Sequence, residues 1–306
     1  MLKGYRYYFH NLIQLFGKRH FVGWGRKRTG RFASWCYKKF GGTLFLQEDG
    51  FIRSIGLGVD GSPSFSIVED DIGIYYDATT PSKLENILNS YKFSADNDLM
   101  ATAREAMTLI RRYRISKYNN APDVPEGYFG DDRRRILIVA QTAGDASLKY
   151  GLAERFTTDE IIDAVILENP DAEIWLKIHP DVISGKKGSD IDIASARIKC
   201  RIIDEDFNPI SLLEHFDAVY TKTSQMGFEA LMLGKKCVCF GMPFYAGWGI
   251  TDDRVRCRRR TASRSVEEVF AGAYILYSKY YNLYKNRQSN IFDTINEIVL
   301  QRDFSK

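Results

Sequence analysis

The sequence predicts an α/β protein built on a parallel sheet covered by helices, and three observations carry that expectation. Ile136 to Ala140 is an unbroken apolar run of the length of a strand buried on both faces. From there to Phe240, strand-like and helix-like patterns alternate as they do in βαβ units. Several strand-like runs end in polar residues, which places those residues at the carboxyl edge of the sheet, where open α/β sheets bind ligands.

Composition agrees with that class. The 306 residues are 44% hydrophobic and 27% charged, which suits two domains of ordinary size or one large α/β unit. The formal net charge is only +4, but Arg254, Arg256, Arg258, Arg259, Arg260 and Arg264 gather near the end. Such a cluster suits anionic lipid headgroups, a polyanionic glycan or a solvated basic loop. No aromatic residues interleave it, so nucleic acid ranks last. Five cysteines, Cys36, Cys200, Cys237, Cys239 and Cys257, form no Cys-x-x-Cys pair. That argues against a zinc site and a disulfide framework and fits a reducing compartment. Cys237 and Cys239 alternate in an apolar run and are expected in the core, on one face of a strand. Met1 to His20 lacks the pattern of a signal peptide, and no run of about 18 apolar residues offers a membrane span, so a cytoplasmic location is expected.

In chain order, Gly4 to Phe16 is an aromatic and basic helical pattern, expected to pack on the protein or to lie on a membrane surface. His20 to Gly25 reads as a strand, Gly30 to Phe40 as a helix ended by Gly41-Gly42, and Thr43 to Gln47 as a strand running into Glu48-Asp49-Gly50-Phe51. Phe65 to Val68 and Gly73 to Tyr76 read as short strands, with Glu69-Asp70-Asp71 as a solvated turn between them. Helices are expected from Pro81 and over Asp96 to Tyr113. Tyr118 to Asp132, rich in Asn, Pro and Gly, reads as a linker. After the strand at Ile136 come a helix over Thr158 to Glu168 and strands at Ala172 to Ile178 and Arg201 to Ile203. A helix over Pro209 to His215, a strand at Ala218 to Tyr220, a helix over Gly227 to Leu233 and a strand at Cys237 to Phe240 follow. The expected division is residues 1–117, a linker over 118–132, a second domain over 133–250, and a basic loop with C-terminal helices over 251–306.

The strand ends carry the candidate chemistry. After Ile136 to Ala140 come Gln141, Asp145 and Ser147, where Asp145 is either a helix cap or a reactive carboxylate. Lys177 and His179 close a neighbouring strand. Thr223 and Ser224 precede a helix start, whose free N–H groups favour a phosphate, and Glu229 follows one turn later, placed to accept from ribose hydroxyls. The Glu48-Asp49 pair at a strand end, before a glycine, is a second candidate site. No Gly-x-Gly-x-x-Gly opens a helix after a strand, and there is no P-loop, His-Glu-x-x-His or Gly-x-Ser-x-Gly pattern.

Six motifs occur in one order: Gln47-Glu48-Asp49-Gly50-Phe51-Ile52-Arg53-Ser54, Asp70-Asp71-Ile72-Gly73-Ile74-Tyr75-Tyr76-Asp77-Ala78, Gln141-x-x-x-Asp145-x-Ser147, Lys177-x-His179-Pro180-Asp181, Thr223-Ser224-x-x-Gly227-Phe228-Glu229-Ala230-Leu231 and Pro243-Phe244-Tyr245-Ala246-Gly247-Trp248-Gly249. Together they resemble the bacterial capsule polysaccharide β-Kdo transferases, over roughly Phe21 to Tyr281. Kdo, 3-deoxy-D-manno-oct-2-ulosonic acid, is donated there as CMP-Kdo. The resemblance implies a GT-B-like glycosyltransferase of two Rossmann-like domains facing a cleft, retaining, with no metal and no cofactor beyond its donor. It implies Asp145 as the nucleophile and Glu48 and Asp49 jointly as the acid/base. Donor binding falls by it to Gln141, Ser147, Lys177, His179, Pro180, Thr223, Ser224 and Glu229, and Arg53 is expected to bind a sugar carboxylate. The implied partners are CMP-Kdo and a Kdo-containing glycan or glycolipid acceptor. Peripheral contact with the cytoplasmic face of the inner membrane and with other capsule-assembly proteins is also implied, without nucleic acid. Many relatives carry two such units in tandem, and this chain has one. Two other readings stand beside it: a non-transferase sugar-nucleotide enzyme, such as an epimerase or hydrolase, and a catalytically silent capsule-assembly protein.

Overall fold

The computed structural model describes residues 2–56, 61–130, 133–178, 182 and 188–304. The first half runs α1 (Leu2–Gln14), β1 (His20–Trp24), α2 (Arg28–Phe40), β2 (Thr43–Asp49), β3 (Ser66–Asp70), α3 (Lys83–Ser90) and α4 (Asn97–Tyr113). Then come β4 (Arg135–Val139), α5 (Ala146–Tyr150), α6 (Thr158–Glu168), β5 (Glu173–Lys177), α7 (Ile193–Lys199) and β6 (Arg201–Ile203). These are followed by α8 (Pro209–Glu214), β7 (Ala218–Thr221), α9 (Met226–Met232), β8 (Lys236–Cys239) and β9 (Asp252–Asp253). The chain closes with α10 (Val266–Phe270), a π-helical stretch at Ala271–Tyr277, β10 (Ser278–Asn282), β11 (Arg287–Ser289) and α11 (Ile291–Phe304).

The apolar run at Ile136 lies in the middle of a six-stranded sheet of order β6-β5-β4-β7-β8-β9, in which every pairing is parallel. This is the order of a dinucleotide-fold sheet, and its strand sequence reverses between β4 and β7, where a crevice opens at the carboxyl ends. Ile136, Leu137, Ile138 and Val139 are buried on both faces, which is why the run shows no alternation. Cys237 and Cys239 lie in the core on β8, as their spacing predicts. Thr157 and Glu160 form a reciprocal capping box that starts α6.

The other sheet has the order β1-β2-β3-β10-β11, and only β1–β2 is parallel. It is mixed already at β2–β3, which pair antiparallel, and the chain returns after the second lobe to add β10 and β11. The sequence reading expected only helices there, although Ser278–Asn282 alternates buried and exposed residues with a strand's period. The result is the α/β, two-lobed, GT-B-like arrangement. Gly73 to Tyr76 is not a strand. Asp70 is not part of a solvated turn either: its buried carboxylate accepts from the N–H groups of Ile72, Gly73 and Lys83 and from the Tyr277 hydroxyl. At the outer edge, the buried Asn11 side chain of α1 pairs with both the N–H and the carbonyl of Val22, satisfying groups that β1 would otherwise leave open.

The lobes share one core. Phe51, just past β2, contacts the rings of Tyr75, Phe244 and Tyr274 at 4.5–4.9 Å, and Gln225 donates to its carbonyl at 2.8 Å. Glu229, only 2% exposed, accepts from Ser116 Oγ at 2.6 Å across the same junction.

The arginine cluster is mostly structural, contrary to its expected role as a binding surface or solvated loop. Glu85, only 4% exposed, pairs with Arg259 at 2.7 Å and Arg260 at 3.4 Å, and Arg260 also donates to the carbonyls of Pro243 and Ala246. Arg254 pairs with Glu168, and Arg264 with Glu268 and the Leu88 carbonyl. Arg256 and Arg258 remain exposed. Arg260 and Arg264 clamp α3 to the loop that carries Phe244 and Trp248.

Glu85→Ala strands two guanidinium groups, one of them buried, and is expected to lower stability by about 3–5 kcal/mol in urea unfolding. Glu229 generates a pH effect. Burial pushes its carboxyl up to about 7, against hydrogen bonds from Ser116 and Gln225. Its folded value therefore exceeds the unfolded one of about 4.3, and the stability it confers below that pH is lost as pH rises through about 7. Urea titrations should show the wild type losing on the order of 3 kcal/mol between pH 4 and pH 8 that Glu229→Gln does not lose.

Candidate active site

The site begins at the crevice where strand order reverses. Gln141, two residues past β4, accepts through Oε1 from the Thr223 N–H at 2.7 Å and the Thr223 hydroxyl at 3.1 Å, just past β7. Its Nε2 donates to Ser147 Oγ at 3.2 Å and lies 3.5 Å from Asp145 Oδ2. Ser147 Oγ and Thr223 Oγ1 are 2.9 Å apart. Gln141, Asp145, Ser147 and Thr223 thus form one network at the switch point.

Asp145 joins both roles that its position allows. It is the N-cap of α5, with Oδ1 accepting from the Ser147 N–H at 2.9 Å, and it is exposed, with its second oxygen beside the Gln141 amide. Ser224 is a local organiser: its Oγ accepts from the Met226 N–H and its carbonyl from the Tyr245 hydroxyl.

Four expected donor-binding positions are not among these residues. Lys177 does not reach this network: its Nζ donates to the Glu205 carbonyl at 3.3 Å, and burial lowers its affinity for a proton. Glu229 is no ribose acceptor at an open strand end, because it is sealed in the interlobe junction with Ser116 and Gln225. His179 and Pro180 lie outside the described residues.

The acidic pair on β2 is split by its surroundings. Asp49 forms an ion pair with Arg53 at 3.0 Å, and the same guanidinium donates to Ser54 Oγ and the Ser62 carbonyl. Arg53 is therefore a holder of Asp49 and of the backbone around it, with little left for the sugar carboxylate expected of it. Glu48 has no such cation. Its Oε1 accepts from the Trp24 indole N–H at 2.7 Å, and burial raises its carboxyl above the usual range, against the pull of Lys117 and Lys27. Gly25, at φ +38°, makes room: a Cβ there would stand 2.2 Å from the Tyr76 hydroxyl and 2.8 Å from Glu48 Oε2.

Two residues without an assigned role tie the halves together. Burial, and after it the Glu48, Asp49 and Asp145 carboxylates, push the Tyr75 hydroxyl far above its ordinary value. Lys117 faces the same place. Burial opposes its charge, while the Asp49 and Glu48 carboxylates favour it, and the balance lies above the ordinary lysine value. No described side chain forms an ion pair or hydrogen bond with its Nζ. Tyr75 sits inside a recognisable motif. Lys117 sits in Ser116-Lys117-Tyr118, which carries no sequence signal.

Comparison with known proteins bears on this geometry. The family described as capsule polysaccharide biosynthesis protein matches residues 20–129 and 119–284. The capsule polysaccharide modification protein LipA of Neisseria meningitidis serogroup A is 41% identical over 292 residues, covering 91% of this chain and 41% of LipA. The lipopolysaccharide-processing protein LpsZ of Rhizobium meliloti is 40% identical over 266 residues, covering 87% of this chain and 60% of LpsZ. This chain therefore spans about two-fifths to three-fifths of the length of those relatives. Among solved structures, Thermosulfurimonas dismutans KpsC, beta Kdo 2,4 transferase, superposes with a TM-score of 0.86 at 47% identity, covering 91% of this chain and 86% of that one. KpsC, beta Kdo 2,7 transferase, from the same organism gives 0.73 at 33% identity, covering 97% and 89%. With the family matched over most of its length and the site residues on its two sheets, the chain belongs to the capsule polysaccharide biosynthesis protein family.

Proposed function

We propose that the protein transfers Kdo from CMP-Kdo to a Kdo-containing glycan or glycolipid in capsule polysaccharide biosynthesis, with retention of configuration. The observation that carries the reading is the network at the switch point of the parallel sheet, where the Gln141 amide joins Asp145, Ser147 and Thr223 from adjacent strand ends. The likeness to two KpsC structures named as β-Kdo transferases supports the substrate class.

Retention at one carbon needs two inversions, and hence an enzyme nucleophile. Asp145 attacks the anomeric carbon of Kdo, the bond from that carbon to the phosphate oxygen breaks, and CMP leaves with the electron pair. An acceptor hydroxyl then displaces Asp145 while Glu48 takes its proton. Glu48 suits this task better than Asp49, since burial raises its carboxyl toward neutrality while Asp49 is held by Arg53. Thr223 and Ser224, with His179 and Pro180, hold the CMP phosphate, and the Gln141 amide orients Asp145. Lys117 neutralises the sugar carboxylate, the part earlier given to Arg53. The scheme draws on no metal and no cofactor.

Mass spectrometry after incubation with CMP-Kdo should find one Kdo residue on the peptide containing Asp145, and none on Asp145→Ala. That variant should lose about 10³-fold or more in turnover. Glu48→Gln should form the adduct yet transfer it about 10²–10⁴-fold more slowly, whereas Asp49→Asn should weaken Arg53 anchoring and lower stability as well. Wild-type turnover by Asp145→Ala would overturn the nucleophile assignment. Release of CMP at the same rate with and without a Kdo-terminated acceptor would turn the reading to a hydrolase.

A further inference from the structure

Arg26 belongs to none of the six motifs, yet it bonds the end of β1 to one of them by side chain and backbone at once. Its Nε pairs with Asp77 Oδ2 at 2.5 Å, and a second guanidinium nitrogen donates to the Thr80 hydroxyl at 2.8 Å. Its backbone N–H donates to the Tyr76 hydroxyl at 2.7 Å. Asp77 is only 2% exposed, and its other oxygen accepts from the N–H and the hydroxyl of Thr79. The segment 76–80 is thereby locked onto the turn between β1 and α2.

Each side of that lock leads to a carboxylate of the candidate active site. On one side, Trp24 donates its indole N–H to Glu48 Oε1, and the Gly25 N–H donates to the Gln47 carbonyl at 2.9 Å. The Tyr76 hydroxyl and Glu48 Oε2 both crowd Gly25, lying 2.2 and 2.8 Å from the place its Cβ would take. On the other side, the Ala78 N–H donates at 2.9 Å to the carbonyl of Tyr150, the last residue of α5. The Arg26 guanidinium lies 5.8 Å from the centre of the Tyr150 ring. Asp145 is the N-cap of that same five-residue helix. The Ala78 carbonyl is in turn taken by Arg259 at 2.7 Å, which leaves the segment little slack. A path of hydrogen bonds and one short helix therefore joins Glu48 in the first lobe to Asp145 in the second.

We propose that Arg26 and Asp77 are positioning residues that fix the separation of Glu48 and Asp145 across the lobes. The inference rests on the reading of those two carboxylates as base and nucleophile. Attack of Asp145 on the donor needs nothing from Glu48. The later displacement does, because Glu48 has to reach the hydroxyl that attacks the carbon held by Asp145, and that requires both lobes in register. A buried ion pair keeps such a register, since parting it leaves a carboxylate uncompensated. A misplacement of about 1 Å costs about 10²-fold in rate.

The test separates the two halves of the reaction, using the full chain, CMP-Kdo and a Kdo-terminated acceptor. Arg26→Gln is expected to form the Asp145 adduct at the wild-type rate, followed by mass spectrometry, while turnover with acceptor falls about 10²-fold. Arg26→Lys, which keeps a cation beside Asp77, should recover most of that loss. Tyr76→Phe leaves the ion pair in place and removes only the oxygen that accepts from the Arg26 N–H. It should show the same split between adduct formation and turnover at a melting temperature near that of the wild type, so the proposal stays open to refutation even if Arg26→Gln fails to fold. Equal loss of adduct formation and turnover in Arg26→Lys and Tyr76→Phe marks a merely structural role and overturns the proposal, as does wild-type turnover by Arg26→Gln. A wild type that forms no Asp145 adduct overturns the reading beneath it, and this inference with it.

Discussion

Phe51 is the contact on which the rest of the structure depends. Its ring is shared by the first lobe through Tyr75, by the second through Phe244, and by the returning C-terminal segment through Tyr274, while its carbonyl is taken by Gln225 at the start of α9. Gly50 lets the chain turn into this position, since a Cβ there would stand 2.3 Å from Ser66 Oγ. Glu48 and Asp49 immediately precede that turn, so the anchor that joins the lobes also sets the reach of the acidic pair. A two-lobed enzyme that must place groups to within fractions of an ångström gains from such a short path between anchor and reactive group.

The same economy governs charge. Asp49 is neutralised by Arg53 four residues on, Glu85 by two arginines from a distant loop, and Glu229 by hydrogen bonds and its own raised affinity for a proton. Glu48 and Lys117, by contrast, have no ion-pair partner among the described residues. Buried charges with partners specify packing, and charges without them are available to a ligand.

Sequence alone made the parallel sheet legible, because a strand buried on both faces has to be apolar throughout, as Ile136 to Val139 are. It also located Gln141, Asp145, Ser147 and Thr223 at adjacent strand ends, since strand order and loop position follow from the alternation of elements. What escaped was long-range pairing. Nothing local in Glu229 tells of Ser116, nothing in Arg260 tells of Glu85, and Lys177 reads the same whether it turns toward Thr223 or toward Glu205. The strands at Ser278 and Arg287 escaped for a related reason: they are short, and the partner that makes the first of them a strand, β3, belongs to the other end of the chain.

That last pairing has a consequence for biogenesis. Asp70, closing β3, hydrogen-bonds Tyr277 across 207 residues of chain, and β10 then covers the edge of β3. During synthesis at roughly 5–20 residues per second, the first sheet waits about 10–40 s with β3 unpaired on that side and the Asp70 carboxylate short of one donor. The amino-terminal lobe thus leaves the ribosome as an open-edged intermediate, and the final strands act as a built-in cap whose arrival ends the period of vulnerability to edge-to-edge aggregation.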